Sequence, residues 1–282
     1  MIWYWEHREV LNCSLNTMYK CLGISKQAVH QLLDRRMTNN EQTGYLSAII
    51  AQIRADHPTL SCRAMYYKIQ PENMGRDAFE QLCQCLGYHS ERPKNTRRTT
   101  DSSGVIRFEN LLANLELTAI NQAWSSDITY YEVKDKFYYI TFIIDCYSRR
   151  ILGCKVSKRL TTEETTLPAL HQALATRYNQ VPENMVFHSD GGGQYYDKEF
   201  LRCTQTYKFR NSMCEMAYEN GKAERINGVI KNNYLRFYKI NTFEELREAV
   251  DRVVTLYNNE KPHKALKYKS PIVFENNVLA LW

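Results

Sequence analysis

Between Trp124 and Val156 three β-rich runs follow one another with almost no chain between them. Ile128, Tyr130 and Tyr131 mark the first, Tyr138 to Ile144 the second, and Arg150 to Val156 the third. Their connections, Lys134-Asp135-Lys136 and Ser148-Arg149, are short and polar. So short a link can join only antiparallel neighbours, because parallel strands need a crossover of about a dozen residues or more. An antiparallel meander is therefore the expected seed of the sheet. A helix over about 162–178, a short apolar run Asn184–Phe187 that reads as a buried strand, and a helix Lys198–Thr206 follow. The class is mixed α/β. A last helix is announced by Thr242-Phe-Glu-Glu245, a capping box with Thr242 and Glu245 satisfying each other's backbone donors, and by the stripe Phe243, Leu246, Val250, Val253, Val254 and Tyr257.

Ahead of the sheet the periodicity is helical. Leu15, Met18, Tyr19 and Leu22 recur at helical spacing, Gly23-Ile24-Ser25 interrupts, and Ala28, Val29, Leu32 and Leu33 resume. Gly23 can close the first helix in the left-handed conformation, and Ser25 can cap the second. This is the arithmetic of a helix-turn-helix whose second helix turns Lys26, Gln27, His30 and Gln31 toward a DNA major groove; any helical hairpin with a glycine turn reads alike. Tyr45, Ile49, Ile50 and Ile53 then form a stripe that stops before Pro58, and Met65, Tyr66 and Ile69 precede Pro71. Met74-Gly-Arg76-Asp77 leads into a helix Ala78–Leu86. This region reads equally as a second DNA-binding unit, with Arg76 as its contact, or as a packing subdomain. Residues 91–104 hold Arg92, Lys94, Arg97 and Arg98 and almost nothing apolar. They read as a solvated linker whose Arg97 and Arg98 can track a phosphate backbone. The expected organisation is a helix-turn-helix segment over 1–40, a second helical subdomain over 41–90, a basic linker over 91–118, an α/β core over 119–240, and a C-terminal helix and tail over 241–282.

With 282 residues, 44% of them hydrophobic, the chain can bury a sizeable core. It has no run of about 18 apolar residues, and its charged, aromatic opening does not suit a secretory signal. No membrane association is expected, and a cytoplasmic location is. Nine cysteines without a CxxC pair do not make a disulfide framework. Cys83, Cys85 and His89 lack a fourth ligand for zinc, and Cys83 shares an apolar face with Phe79, Leu82 and Leu86. The net charge of +6 permits a polyanionic partner.

Three carboxylates stand out against this frame. Asp190, in His188-Ser-Asp190-Gly-Gly-Gly-Gln-Tyr195, ends the short buried run just before three glycines that allow a sharp turn or close backbone approach. Asp127, in Trp124-Ser-Ser-Asp127-Ile-Thr-Tyr130, puts a charge inside sheet-forming sequence. Glu224 opens a helix in Ala223-Glu224-Arg-Ile-Asn-Gly-Val-Ile-Lys231. Singly, each has an ordinary reading: a turn aspartate, an edge-strand acid facing water, a complement to a helix N-terminus. Together they are what phosphodiester chemistry on two metal ions needs, since acids from separate elements must converge to hold cations about 3.5–4 Å apart. Asp145 reads as a turn or capping acid, and His188 as a satisfied histidine beside the site.

These passages, in this order, resemble the transposase and retroviral integrase superfamily, with its Asp, Asp, Glu triad on a ribonuclease H-like fold. The tail Tyr257-Asn-Asn-Glu-Lys-Pro262-His263-Lys-Ala-Leu266, followed by Ser270-Pro271, is similar to the end of bacterial insertion-sequence transposases made from a second reading frame. The interval from Asp190 to Glu224 is slightly shorter than that branch usually shows, and Glu219 is the rival third acid, set in a turn by Asn220-Gly221.

The resemblance implies a ribonuclease H-like mixed-sheet core behind an all-α helix-turn-helix region. It also implies catalytic and metal-ligating roles for Asp127, Asp190 and Glu224, and two Mg²⁺ ions for which Mn²⁺ can substitute. Water would cleave at the 3′ end of the element, and the freed 3′-hydroxyl would attack a second phosphodiester, usually by way of a circular intermediate. Lys231, seven residues after Glu224 on the same helical face, matches a basic position that contacts terminal nucleotides. The implied partners are double-stranded DNA, as the element's terminal inverted repeats and as target, further copies of the chain on that DNA, and an upstream-frame DNA-binding protein. A catalytically inactive, domesticated transposase that only binds DNA is the alternative, and a nuclease acting on RNA:DNA hybrid is a third reading.

Overall fold

The computed structural model describes residues 7, 9, 10, 13–88, 108–113, 115–214 and 220–280, without the side chain of Asn39. Arg97, Arg98, the basic linker around them, His89 and Glu219 lie outside the described residues. The chain divides into two units, residues 1–52 and 53–282.

In the first unit, α1 (Leu15–Cys21) begins at Ser14, whose hydroxyl accepts the Thr17 N–H at 3.2 Å. It closes where Gly23 takes φ +64° and the Ile24 N–H reaches back to the Tyr19 carbonyl at 3.1 Å, the left-handed ending that glycine favours. The Ser25 hydroxyl then accepts the Ala28 N–H at 3.1 Å and starts α2 (Lys26–Asp56). Glycine turn and serine cap are thus both as the sequence suggests. Two features differ from it. α2 runs unbroken through residue 40, where two helical regions are expected; no proline interrupts it, and Gly44 costs only about 1 kcal/mol relative to alanine. The apolar face is also thinner than its periodicity implies: Val29 is buried, but Leu32 is 52% exposed.

The second unit begins with the end of α2, then α3 (Cys62–Ile69) and α4 (Arg76–Cys85). The Ser61 hydroxyl caps α3 by accepting the Ala64 N–H, and Met65, Phe79 and Cys83 are fully buried. Tyr67 stacks on Tyr268 and Lys68 Nζ pairs with Glu260 at 3.1 Å, so these helices are held against the C-terminal segment.

The sheet follows, with β1 (Ala123–Val133), β2 (Lys136–Asp145), β3 (Ile151–Ser157), β4 (Val186–Ser189) and β5 (Arg210–Met213) in the order β3-β2-β1-β4-β5. β1 to β3 form the expected antiparallel meander, whereas β4 pairs parallel to β1 and β5 parallel to β4. This is a ribonuclease H-like mixed sheet. The β1–β2 link has only Lys134 and Asp135, both at positive φ, the twist-matched two-residue hairpin turn. β5 is absent from the sequence reading because Arg210-Asn-Ser-Met213 has neither alternation nor an apolar run.

Helices cover both faces, as α5 (Thr166–Thr176), α6 (Lys198–Thr206), α7 (Gly221–Asn233), α8 (Phe243–Asn259) and α9 (Pro271–Leu279). Alternation along β2 sends Ile140, Phe142 and Ile144 to the face covered by α7 and α8, where they meet Ile230, Val250 and Val253. Ile143 points the other way, toward Leu170 and Ala173 of α5. Gly153 of β3 explains how closely α5 approaches: a Cβ there would stand 2.1 Å from the Ala169 carbonyl oxygen. The capping box of α8 forms with one change. The Thr242 hydroxyl accepts the Glu245 N–H at 3.1 Å, but the Glu245 carboxylate takes the N–H of Asn241 instead of Thr242. Extended backbone at Thr242 brings the preceding donor within reach.

A buried polar network ties the sheet to α9. Glu275, 1% exposed, accepts from Arg177, Arg150 and the Ser148 hydroxyl. Asp145 holds the adjacent turn, accepting the backbone N–H groups of Asn121, Tyr147 and Ser148. Its capping role agrees with the sequence. No helix among the described residues is long and apolar enough to cross a membrane.

Candidate carboxylate site

β1 and β4 are the central parallel pair, with Ser125 opposite His188. Two residues further along each strand, Asp127 and Asp190 come level with one another, Asp190 one position past the end of β4. The Asp190 carboxylate accepts the Gly192 N–H at 3.1 Å, and the Tyr196 hydroxyl donates to the Asp190 carbonyl. None of the three following glycines has positive φ. Gly192 serves close approach instead, since a Cβ there would lie 3.0 Å from Asp190 Oδ1.

α7 supplies the third acid and is fastened directly to β1. Asn220, just ahead of its first turn and 2% exposed, donates from Nδ2 to the Ser126 carbonyl at 2.9 Å, while the Ser125 hydroxyl donates to Asn220 Oδ1. Glu224, Asn227 and Lys231 follow at helical spacing on one stripe. Asn227 donates to Asp127 Oδ2 at 2.7 Å. Lys231 Nζ donates to the Tyr130 carbonyl at 2.9 Å and to the Thr129 hydroxyl at 3.3 Å, with its charge 4.9 Å from the centre of the Tyr130 ring. Glu224 itself is exposed.

The electrostatics join these groups. Burial, then the charges of Asp190 and Glu224, push the Asp127 carboxyl up to about 7, against the hydrogen bonds from Ile128 and Asn227. Burial raises Asp190 as well, opposed by the Gly192 N–H. Burial depresses Lys231, while Asp127 acts in the other direction. A buried Asp127 carboxylate made costlier by two neighbouring acids, with oxygen donors only around it, suits a hard divalent cation, which would relieve that cost. The residues fit such an ion in chemistry. Among the described residues, no three acids, histidines or cysteines stand close enough together to hold one ion.

Lys26, Gln27 and His30 are exposed on the first turns of α2. Arg76 pairs with Asp77 at 2.8 Å and with Glu80 at 3.9 Å. His188 is fully buried behind the site, with Nδ1 at 2.9 Å from the Ser212 hydroxyl. Sequence reasoning missed three supporting side chains: Asn220, Asn227, and Tyr195, whose hydroxyl meets Ser126 Oγ at 2.8 Å. Only Asn227 carried a usable signal, three residues after Glu224 and so on its face.

The sequence matches the family described as Integrase core domain over residues 118–218, and a second family of the same description over 207–271. The Insertion element IS600 uncharacterized 31 kDa protein of Shigella sonnei is 27% identical over 91% of this chain and 97% of its own length. The transposase InsF for insertion sequence IS3fB of Escherichia coli K12 is 29% identical over 74% of this chain and 73% of its own. Among solved structures, the HTLV-2 integrase catalytic core domain in complex with magnesium, in its trimeric form, aligns with a TM-score of 0.45 at 21% identity, covering 56% of this chain and 97% of that one. The simian T-cell lymphotropic virus intasome in complex with the PP2A regulatory subunit B56 gamma aligns at 0.47 and 19% identity, covering 76% of this chain and 74% of that one.

Proposed function

The chain belongs to the insertion-sequence transposases of the integrase superfamily, and from that premise we propose that it binds the terminal inverted repeats of its own element and cuts and joins DNA strands with Asp127, Asp190 and Glu224. The observation that carries this reading is geometric: Asp127 and Asp190 come level at the ends of the central parallel pair, and Asn227, on the same face of α7 as Glu224, bonds the Asp127 carboxylate at 2.7 Å. Divalent metal ions held by these carboxylates, two Mg²⁺ on this reading, would activate the attacking oxygen and steady the leaving one.

The chain's own groups hold and aim. Asn227 fixes the Asp127 carboxylate and the Gly192 N–H fixes that of Asp190. Asn220 anchors the start of the helix that presents Glu224. In the first step a water oxygen displaces the 3′ oxygen at the element end. In the second, the freed 3′-hydroxyl attacks a phosphodiester of target DNA and displaces its 3′ oxygen. No covalent enzyme intermediate is required. Recognition of the ends is assigned to the helical region of residues 14–90, with Lys26, Gln27 and His30 on the exposed side of α2, and Lys231 to the terminal nucleotides. Assembly of several copies on DNA, and an upstream-frame partner, belong to the same reading.

The test is incubation of the purified protein with Mg²⁺ and duplexes carrying the element's ends. Nicking at the 3′ ends followed by strand joining is expected. Specific binding without cleavage would leave a DNA-binding protein only, and cleavage confined to RNA:DNA hybrid would make it a ribonuclease.

A further inference from the structure

α7 carries two stripes. Glu224, Asn227 and Lys231 face β1, whereas Lys222, Arg225, Val229 and Asn233 line a cavity of about 790 Å³ on another side of the helix. The opposite wall is the Lys261-Pro262-His263-Lys264 segment after α8, and the Arg149 turn between β2 and β3 closes one end. That tail segment was singled out in the sequence, and the chemistry of the three acids makes no use of it.

The cavity is basic throughout. Arg149, Lys222, Arg225, Lys261 and Lys264 line it, and among the described residues no carboxylate does. Among the described residues none of the five is in an ion pair, although the surface cations Arg202, Lys208 and Arg252 each are. Lys222, Arg225 and Lys264 are exposed at the rim, and Arg149 and Lys261 are half-buried, so positive charge continues from surface to interior. His263 Nε2 is buried without a hydrogen-bond partner. Burial and Arg225 bring Lys261 down to about 8. Burial together with Lys261, Arg149 and Arg225 brings His263 down to about 3, so the ring stays neutral among cations.

Converging cations with no counter-charge disfavour one another, and a bound anion reverses the sign of that cost. The volume lies within the range of about 300–1,000 Å³ typical of ligand sites, far more than a lone inorganic ion fills. Ile144, Ile226, Val229 and Tyr257 add an apolar side against which a sugar or base can lie. Phosphates in series, attached to partly apolar units, match all of these features.

We propose that this cavity is a second DNA site, gripping the phosphodiester backbone of a strand through Arg149, Arg225, Lys261 and Lys264. The proposal rests on the transposase reading for the identity of the polyanion. Because Arg225 follows Glu224 on one rigid helix, a strand seated in the cavity is fixed in orientation relative to the acids. Either an element end or target DNA offers this chemistry.

The test measures binding of full-length protein to labelled duplexes of element-end and of unrelated sequence, with chelator present so that no cleavage occurs, over a range of salt. Arg149→Gln with Lys261→Gln is expected to weaken binding and make the slope of log K against log salt shallower by about 2, roughly 0.9 per lost phosphate contact. Arg149→Lys with Lys261→Arg should preserve that slope. Loss on end duplexes alone assigns the cavity to the element end; equal loss on both assigns it to any strand, target included. An unchanged slope in a variant that melts with the wild type overturns the proposal. So does an equal change on replacing Lys134 and Lys136 at the β1–β2 turn, which would make the effect one of net charge. If the first pair does not fold, Arg225→Gln with Lys264→Gln, both at exposed positions, decides by the same slopes. Wild-type protein that binds with the full slope yet never cuts element ends would sink the transposase reading and leave the cavity standing.

Discussion

Asn227 donates from its side-chain amide to Asp127 Oδ2 at 2.7 Å, bridging α7 to the middle of β1 across 100 residues of chain. Its own Oδ1 is buried with no partner. An orphaned buried carbonyl costs about 1–3 kcal/mol, so the position favours fixing the acid over satisfying the amide. Replacing Asn227 by alanine is expected to lower cleavage about 10- to 100-fold, as loss of a group behind a ligand typically does. DNA binding should be unaffected. Because the bond lowers the pKa of Asp127, the acidic limb of the pH–rate profile should move to higher pH. A drop in rate with the profile unmoved would mean that Asn227 acts only in packing.

Asp127 itself should show stability opposed to function. Its folded pKa, about 7, lies above the ordinary 3.8, so in metal-free protein the folded state binds the extra proton. The stability that goes with it is present below about pH 4 and is lost as pH rises through 7. Asp127→Asn removes the penalty. At pH 8 without metal the variant is expected to melt about 2–5 °C above wild type, with the difference vanishing near pH 4, and to have no cleavage activity. Equal melting temperatures at pH 8 would show that burial and the neighbouring acids do not penalise the Asp127 carboxylate as described.

Gly153 offers a purely structural test. A Cβ at that position would meet backbone atoms of α5 at 2.1 Å, and a packed helix can give only by moving as a whole. Gly153→Ala should destabilise by about 1–3 kcal/mol or more, read as a lower denaturation midpoint at unchanged m-value. Alanine tolerated without loss would mean that α5 sits further from β3.

How much of this could be read beforehand differs by element. The antiparallel meander was legible because links of two residues between β1 and β2 and five between β2 and β3 are too short for a parallel crossover. The Gly23 turn and Ser25 cap were legible because their chemistry is local. Positions for the three acids were readable for a related reason: each interrupts a strong local pattern, a strand, a strand end or a helix start. The contacts that organise them were not. Asn220 finds Ser126 across 94 residues and Arg177 finds Glu275 across 98, distances over which no periodicity speaks. The basic cavity was hidden for the same reason, since its cations come from three separated segments and look like solvated charges in the sequence.

Glu275 tests the buried network. Burial raises its pKa, but bonds from Arg177, Ser148 and Arg150 outweigh that and hold it below the usual 4.5. The stabilisation is therefore present above about pH 4.5 and is lost as pH falls through the depressed folded value. Glu275→Gln should destabilise at pH 7 by up to about 3–5 kcal/mol, because it breaks a buried ion pair and leaves the Arg177 guanidinium only Asp145, at 3.5 Å, as counter-charge. The gap between variant and wild type should narrow in acid. A constant gap from pH 7 to pH 3 would indicate a loss of shape complementarity instead of charge.

Lys231 separates two roles that share one side chain. Its ammonium already bonds the Tyr130 carbonyl and the Thr129 hydroxyl and lies against the Tyr130 ring, which alone would make it a brace between α7 and β1. An ammonium has three donors, and these bonds use two. The third can meet a phosphate near Asp127, whose charge favours the protonated lysine even as burial works against it. A brace serves every substrate alike, whereas a contact to terminal nucleotides serves only element ends. Lys231→Ala is expected to lower cleavage at specific ends much more than nicking of unrelated duplex, with metal affinity unchanged, since phosphate contacts position DNA and do not hold ions. Lys231→Arg should restore part of the end preference. Equal loss on both substrates would leave only the brace, and no loss on either would remove Lys231 from the site.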